Sequence, residues 1–561
     1  MYVYDHYDQT IVDQRVVQFR DQTERFLAGK LSEAEFLPLR LQNGLYVQRL
    51  APMLRIAVPY GLLNSTQVRK LAEITRVFDK GYAHVSTRQN IQLNWPRLED
   101  VPDILAELAS VQMHAIQTSG NCIRNTTTDQ YAGVATDELE DPRPYCEIIR
   151  QWSTLHPEFA FLPRKFKIAV CGTSQDRAAI RAHDIGVELV ANESGNIGCR
   201  ILAGGGLGRT PVIGSVVCEW LDRKHLLTYL EAILRVYNQN GRRDNKYKAR
   251  IKILVKAMGI EAFRDAVEQE WAPIKDGPTT LTDEEIARAK SFFTEPPYAA
   301  LDHAASQSAL AAKTSDNPIF GNWVKRNTVE HRVDGYRIVN ISLKATGFAP
   351  GDITDTQLEL AADLADDFSF GEIRTTHQQN LVLADVQMDQ LYPLWLRLQS
   401  AGLATPNLGY LTDMICCPGG DYCSLANAKS IPVAEAIQSR FDDLDYLYDL
   451  GPLELNISGC MNACGHHHVG NIGILGVDKR GQEFFQLTLG GSSNADASLG
   501  DRLGRGLPQA EVPGAIETII DTYLQLREPD ETFLLAYRRI GIEPFQSAVY
   551  GPDHNKKRQV A

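Results

Sequence analysis

The feature that most constrains this chain is that it repeats itself. Residues 63–78 read LNSTQVRKLAEITRVF, and residues 353–368 read ITDTQLELAADLADDF. Each opens with Ser, Thr or Asp side chains suited to capping a helix. Apolar residues then follow at helical spacing, Val68, Leu71 and Phe78 in the first and Leu358, Ala361 and Phe368 in the second. A strand-like segment comes after each, RQNIQL at 88–93 and QQNLVL at 378–383. Thr66, Gln67, Gln89 and Asn90 meet Thr356, Gln357, Gln379 and Asn380 at one constant offset of 290. Further on, GIEAFRDAV at 259–267 echoes GIEPFQSAV at 541–549, and the Gly204-Gly205-Gly206 loop has a counterpart at Gly490-Gly491. The plan is therefore a small αβ module and a larger one, then both again. A pseudo-twofold molecule follows, with a cleft between halves where a large cofactor can sit.

The bulk properties exclude several function classes. A chain of 561 residues with 44% hydrophobic and 23% charged residues has the make-up of a multidomain globular protein. A net charge of −13 gives nucleic-acid binding no electrostatic support. The start MYVYDHYDQT has no basic segment followed by an apolar run, so no secretory signal is expected. No uninterrupted apolar stretch is long enough to predict a membrane span. A cytoplasmic location is expected, and there the ten cysteines are free or ligating rather than disulfide-bonded.

Four of those cysteines form a pattern. Cys417 and Cys423 have five residues between them, and Cys460 and Cys464 have three. Four thiolates in one region suit a [4Fe–4S] cluster or a four-cysteine zinc site. Zinc pairs usually have two to four residues between cysteines, so the longer gap leans toward iron–sulfur, with zinc and free thiols as alternatives. The cysteine pairs occur only in the second half, while the first half carries basic residues at corresponding places.

With its other motifs, this pattern resembles the assimilatory sulfite/nitrite reductases that carry sirohaem and a [4Fe–4S] cluster, most of all bacterial sulfite reductase haemoprotein (beta) subunits. The motifs are MLR (53–55), TRQNIQ (87–92), NCIRN (121–125), LPRKFK (162–167), GGGLG (204–208) and the cysteine pairs, in the family's order. The resemblance implies an α+β fold with two ferredoxin-like half-modules, 41–112 and 326–402. It also implies two sirohaem/[4Fe–4S]-type αβ domains, 113–284 and 403–552. Residues 1–40 are then an N-terminal extension, partly helical over 11–26, residues 285–325 a linker, and 553–561 a C-terminal tail.

The resemblance also assigns roles. Cys417, Cys423, Cys460 and Cys464 bind the cluster, with Cys464 also bridging to the sirohaem iron and Cys416 a bystander. Arg55, Arg124, Lys165 and Lys167 bind the substrate anion and deliver protons, work that cationic donors perform well. Lys165 and Lys167, two apart in a predicted strand, can face one side. Sirohaem carries eight carboxylates, and Arg88, Gln92, Arg164 and Asn462 match positions in its pocket. Lys246, Lys248 and Arg209 are weaker candidates. His84 and Asn94 depart from relatives that place arginine and histidine there. His466, His467 and His468 are read as packing rather than as a metal site.

The implied reaction is six-electron reduction of sulfite to sulfide. Lys167 favours sulfite over nitrite, because plant-type nitrite reductases tend to place asparagine at that position. No nicotinamide or flavin site is readable, so electrons come from a partner, a flavoprotein reductase subunit or ferredoxin. Sirohaem nitrite reductase is one alternative. A cluster-containing electron carrier without sirohaem is another, although a carrier needs no anion pocket.

Overall fold

The computed structural model describes residues 1–48 and 50–552, and the expected tail at 553–561 lies outside the described residues. The repeat appears as a five-stranded sheet in each small module and sheets of five and six strands in the two larger modules. The first small sheet holds Leu45–Val47, Pro52–Ile56, Ile91–Leu93 and Tyr82–Val85, and its fifth strand is Asp352–Thr354 from the second half. The second holds Thr328–Glu330, Tyr336–Ile341, Leu381–Gln387 and Glu372–Thr375, and is completed by Leu62–Asn64 from the first half. The halves thus exchange one strand each, and the two exchanged strands stand at the same offset of 290.

Each exchanged strand runs directly into the helix read from the sequence, Ser65–Phe78 and Asp355–Phe368. Both helices begin with a capping box, Asn64 with Gln67 and Thr354 with Gln357, which satisfies amide donors that the first turn leaves open. That is one physical reason for the repeated glutamine. Leu71 and Leu358 share one apolar core that spans both small modules. Across the top of that core Arg69 pairs with Asp363 and Asp366, and Arg76 with Asp355 and Glu359.

The larger sheets repeat a topology of their own. Thr127–Thr128, Ile168–Cys171 and Ile185–Ala191 are parallel, and Ile197–Ala203 and Ser215–Asp222 continue antiparallel. In the second half Ile415–Cys416, Leu455–Ser458 and Ile472–Lys479 are parallel, and Gln482–Leu489 and Asp501–Arg502 continue antiparallel. Each sheet packs on helices over its own buried core.

Two segments differ from the reading of the sequence. The 285–325 connection holds ordered helix, because Asp302 and Asn317 cap His303–Asp316 and Pro318–Asn327, and Phe320 and Trp323 enter the shared small-module core. The N-terminal helix is longer than expected, His6–Leu27, and seats Phe19 in the same core.

Candidate functional site

The repeated Gln-Asn dipeptides set the site's frame. Gln89 and Gln379 both take left-handed backbone, φ 57° and 64°, in turns closed by Ser86 and Thr376. The Gln89 amide accepts from the Thr128 N–H and donates to the Thr128 carbonyl, while Gln379 makes the same pair of bonds to Cys416. Each also donates across the pseudo-twofold, Gln89 to the Thr375 carbonyl and Gln379 to the Val85 carbonyl. Asn90 and Asn380 accept from the Val58 and Leu343 amides in the same way. These turns therefore pin the first strand of each large sheet to both small sheets. Cys416 is held by its backbone on one side of Cys417, and its thiol donates to the Cys417 carbonyl.

On the second half, Cys417, Cys423, Cys460 and Cys464 gather on two loops. The thiols of Cys417 and Cys460 are pushed up to about 12 and about 11, by burial first and by neighbouring thiols as well. The Gly459 N–H donates to the Cys417 sulfur at 3.2 Å, a bond that favours a thiolate. Gly465 is required by close packing, since a Cβ there would lie 1.8 Å from the Ile457 carbonyl. Cys460 is buried, whereas Cys464 is exposed and Asn462 beside it is open. Among the described residues no three His, Cys, Asp or Glu side chains close around a single-ion position.

The first half supplies the cations. Lys165 and Lys167 flank Phe166, which bridges to Ile123 just before the strand Ile168–Cys171. The expected alternation is present although the strand starts one residue later. Neither ammonium has a hydrogen bond or ion pair among the described residues. Burial pushes Lys165 down to about 7, Arg124, Arg250 and Arg164 push the same way, and Cys464 opposes them. Lys167 lies well below the ordinary lysine value, from burial and then from Lys165, Arg88 and Arg250. Cys464 therefore lies within electrostatic reach of both lysines, and Thr87 ties the halves there by donating to the Cys464 carbonyl at 2.8 Å.

The remaining predicted residues are placed less uniformly. Arg124 lies within electrostatic reach of Lys165, with its guanidinium steadied by the Thr118 and Gly120 carbonyls. Arg164 reaches Asn121 at 3.3 Å. Arg55 faces Gln92 across two strands and donates to it at 2.9 Å, and Gln92 donates in turn to Asn94 at 2.7 Å. Arg88 is buried and spends its terminal nitrogens on Thr127 and on the Asn125 and Ile168 carbonyls, and burial lowers it to about 9. Arg88 and Gln92 are thus each held by hydrogen bonds to neighbouring residues of the first half. His84 is engaged between halves, with Asp352 at 2.7 Å and Gln379 at 2.9 Å.

Two residues that the sequence reading passed over belong here. Lys246, Lys248 and Arg209 are exposed, and the inward cations of that segment are Arg250 and Lys252. Arg250 grips the buried Asp184 carboxylate at 2.7–2.9 Å, and Lys252 donates to the Gly206 and Leu207 carbonyls of the glycine loop. That loop meets the cysteine half where the Gly208 carbonyl contacts His468 at 2.9 Å. His466 is buried near Lys167, His377 and Arg88, and its basicity is far below normal, chiefly from burial.

Residues 119–275 and 410–557 match the nitrite and sulphite reductase 4Fe-4S domain, and residues 48–111 and 331–401 match the nitrite/sulfite reductase ferredoxin-like half domain. The chain belongs to the nitrite and sulfite reductase family. A protein named sulfite reductase [ferredoxin] 1 from Mycolicibacterium paratuberculosis is 29% identical over 86% of this chain and 81% of its own. An assimilatory ferredoxin-dependent nitrite reductase from Haloferax mediterranei is 28% identical over 86% and 80%. The solved structure of the Mycobacterium tuberculosis NirA protein superposes with a TM-score of 0.77 at 25% identity, covering 95% of each chain. The family's fold is the duplicated α+β architecture found here, and its cofactors are sirohaem and a [4Fe–4S] cluster.

Proposed function

We propose that this protein reduces sulfite to sulfide, taking six electrons and releasing the three oxygens as water. The observation that carries this reading is the pair of unpartnered ammonium groups, Lys165 and Lys167, facing Cys464 across the contact between halves. Sirohaem and the cluster, when bound, supply the iron site and the electron path. Cys417, Cys423, Cys460 and Cys464 would hold the cluster, with exposed Cys464 as the candidate bridge. Arg124, Lys165 and Lys167 bind the oxyanion and stabilise charge as its oxygens leave, and Arg55 joins them from the small sheet. An anion between these two half-buried lysines raises both pKa values, so substrate binding favours their charged, proton-donating forms. Arg164 and the inward Arg250 and Lys252 suit a macrocycle rich in carboxylates.

The electron donor is read as ferredoxin, as in the relatives named for it, with a flavoprotein reductase subunit as the other candidate. Among the described residues no helix is long and apolar enough to cross a membrane, which is compatible with a cytoplasmic partner. The test is anaerobic turnover of the loaded protein with reduced methyl viologen. A higher kcat/KM for sulfite than for nitrite, with sulfide as product, is expected. A higher value for nitrite, with ammonia as product, overturns the substrate assignment.

A further inference from the structure

Asp184 is a fully buried carboxylate with two kinds of partner. One oxygen accepts from the Lys167 backbone N–H at 2.8 Å, and both oxygens accept from Arg250. Its carbonyl also receives the Gly204 N–H at the start of the glycine loop. The duplication supplies an internal control. Glu454 occupies the place of Lys167 in the second half, because the Ile185 and Ile472 amides donate to the Lys167 and Glu454 carbonyls in the same register. Asn471 there occupies the place of Asp184, since it accepts from the Glu454 N–H at 3.0 Å and its carbonyl receives the Gly490 N–H. A neutral amide therefore suffices for the backbone tie. The charge on Asp184 is needed for something the second half lacks.

We infer that Asp184 is a positioning residue for oxyanion reduction, clamping Arg250 beside Lys167 and balancing its charge so that the Lys167 ammonium stays protonated toward the substrate. This rests on the sulfite-reductase reading above. Lys167 is faced by Lys165, Arg88, Arg250, His183 and His466, with Cys464 and Asp184 as the groups of opposite sign. Arg250 without its carboxylate becomes one more like charge in that set, and like charges disfavour an ammonium. Arg250 without its guanidinium leaves a buried anion, which favours the ammonium.

The test uses the loaded enzyme with Asp184→Asn, Arg250→Gln and the double variant. Asp184→Asn should lower kcat/KM for sulfite by about tenfold or more and move the basic limb of its pH profile down by about one unit. Arg250→Gln should move that limb up, and the double variant should fall between the singles. Competitive acetylation of Lys167, read by peptide mass spectrometry across pH, should show the same order of midpoints without reference to turnover. If the substrate assignment is wrong but the clamp is real, acetylation midpoints still shift and sulfite kinetics do not. The inference is overturned by unchanged Lys167 midpoints in both singles, by shifts of the same sign in both, or by loss of activity that merely tracks loss of cofactor. If Asp184→Asn does not fold, the upward shift in Arg250→Gln alone decides.

Discussion

Replacing Glu454 with glutamine should stabilise the protein at pH 8 and leave it nearly unchanged at pH 5. Glu454 stands where Lys167 stands in the other half, in a position that removes a carboxylate from water. Burial raises it from 4.5 to about 7, and the nearby Asp413 and Asp496 push the same way. The folded protein therefore holds that proton more tightly than the unfolded chain does. Stability is fully present below pH about 4.5, falls as pH rises through the window up to about 7, and is then lost in full. A shift of this size corresponds to about 3 kcal/mol at pH 8, at about 1.4 kcal/mol per unit. Glutamine has nearly the same shape and no charge, so Glu454→Gln recovers most of that at pH 8 and almost none at pH 5. Urea unfolding followed by far-ultraviolet circular dichroism at the two pH values measures the difference. Equal effects at both pH values, or destabilisation at both, would refute the reasoning, because either means that the carboxylate is not penalised by burial.

Three further outcomes are expected. Lys167→Asn should lower kcat/KM for sulfite about 100-fold, the cost of removing one charge-stabilising donor, with cofactor spectra retained and nitrite turnover less affected. Gln379→Ala leaves the Cys416 N–H and two buried carbonyls without partners, so it should destabilise by about 3 kcal/mol in thermal unfolding and lower the iron bound per chain. Cys423→Ser should abolish the cluster's absorption, while Cys416→Ser, whose thiol donates to the Cys417 carbonyl, should keep it.

How much of this was legible in the sequence depended on whether the signal was periodic or pairwise. The duplication was readable because helix caps and apolar spacing are local, and both repeat helices lie where their patterns place them. The strand exchange was not readable, because Leu62–Asn64 and Asp352–Thr354 look the same whichever sheet they complete. The Gln-Asn dipeptides were visible as a repeat, but their work is long-range hydrogen bonding that no spacing rule encodes. Among the cations, Lys165 and Lys167 were read from a motif. In the run from 246 to 252 the exposed lysines drew attention while Arg250 and Lys252 did not. The available signal was their setting, since Arg250 and Lys252 alternate with the apolar Ala249, Ile251 and Ile253, whereas Lys246 and Lys248 flank Tyr247 in a polar run that begins at Arg242. Asp184 carried no motif, and its role appears only once its partners are in place.

The duplication also bears on where the proposed chemistry lies. Backbone geometry was copied, as the paired bonds at Lys167 and Glu454 and at Asp184 and Asn471 show. The side chains then diverged in sign: Arg55 faces Gln92 where Asn340 faces Val382, Lys167 is replaced by Glu454, and the charged clamp on Arg250 becomes a neutral amide. A second basic pocket would cost the desolvation of several more cations with no anion to offset it. The second half instead spends its equivalent loops on four thiols, and it buries Lys344 against Asp413. An oxyanion or a carboxylate-rich macrocycle beside the lysine pair would relieve its repulsion and favour the charged forms. On the function proposed above, the reaction lies at the contact between a half that kept its cations and a half that gained its cysteines.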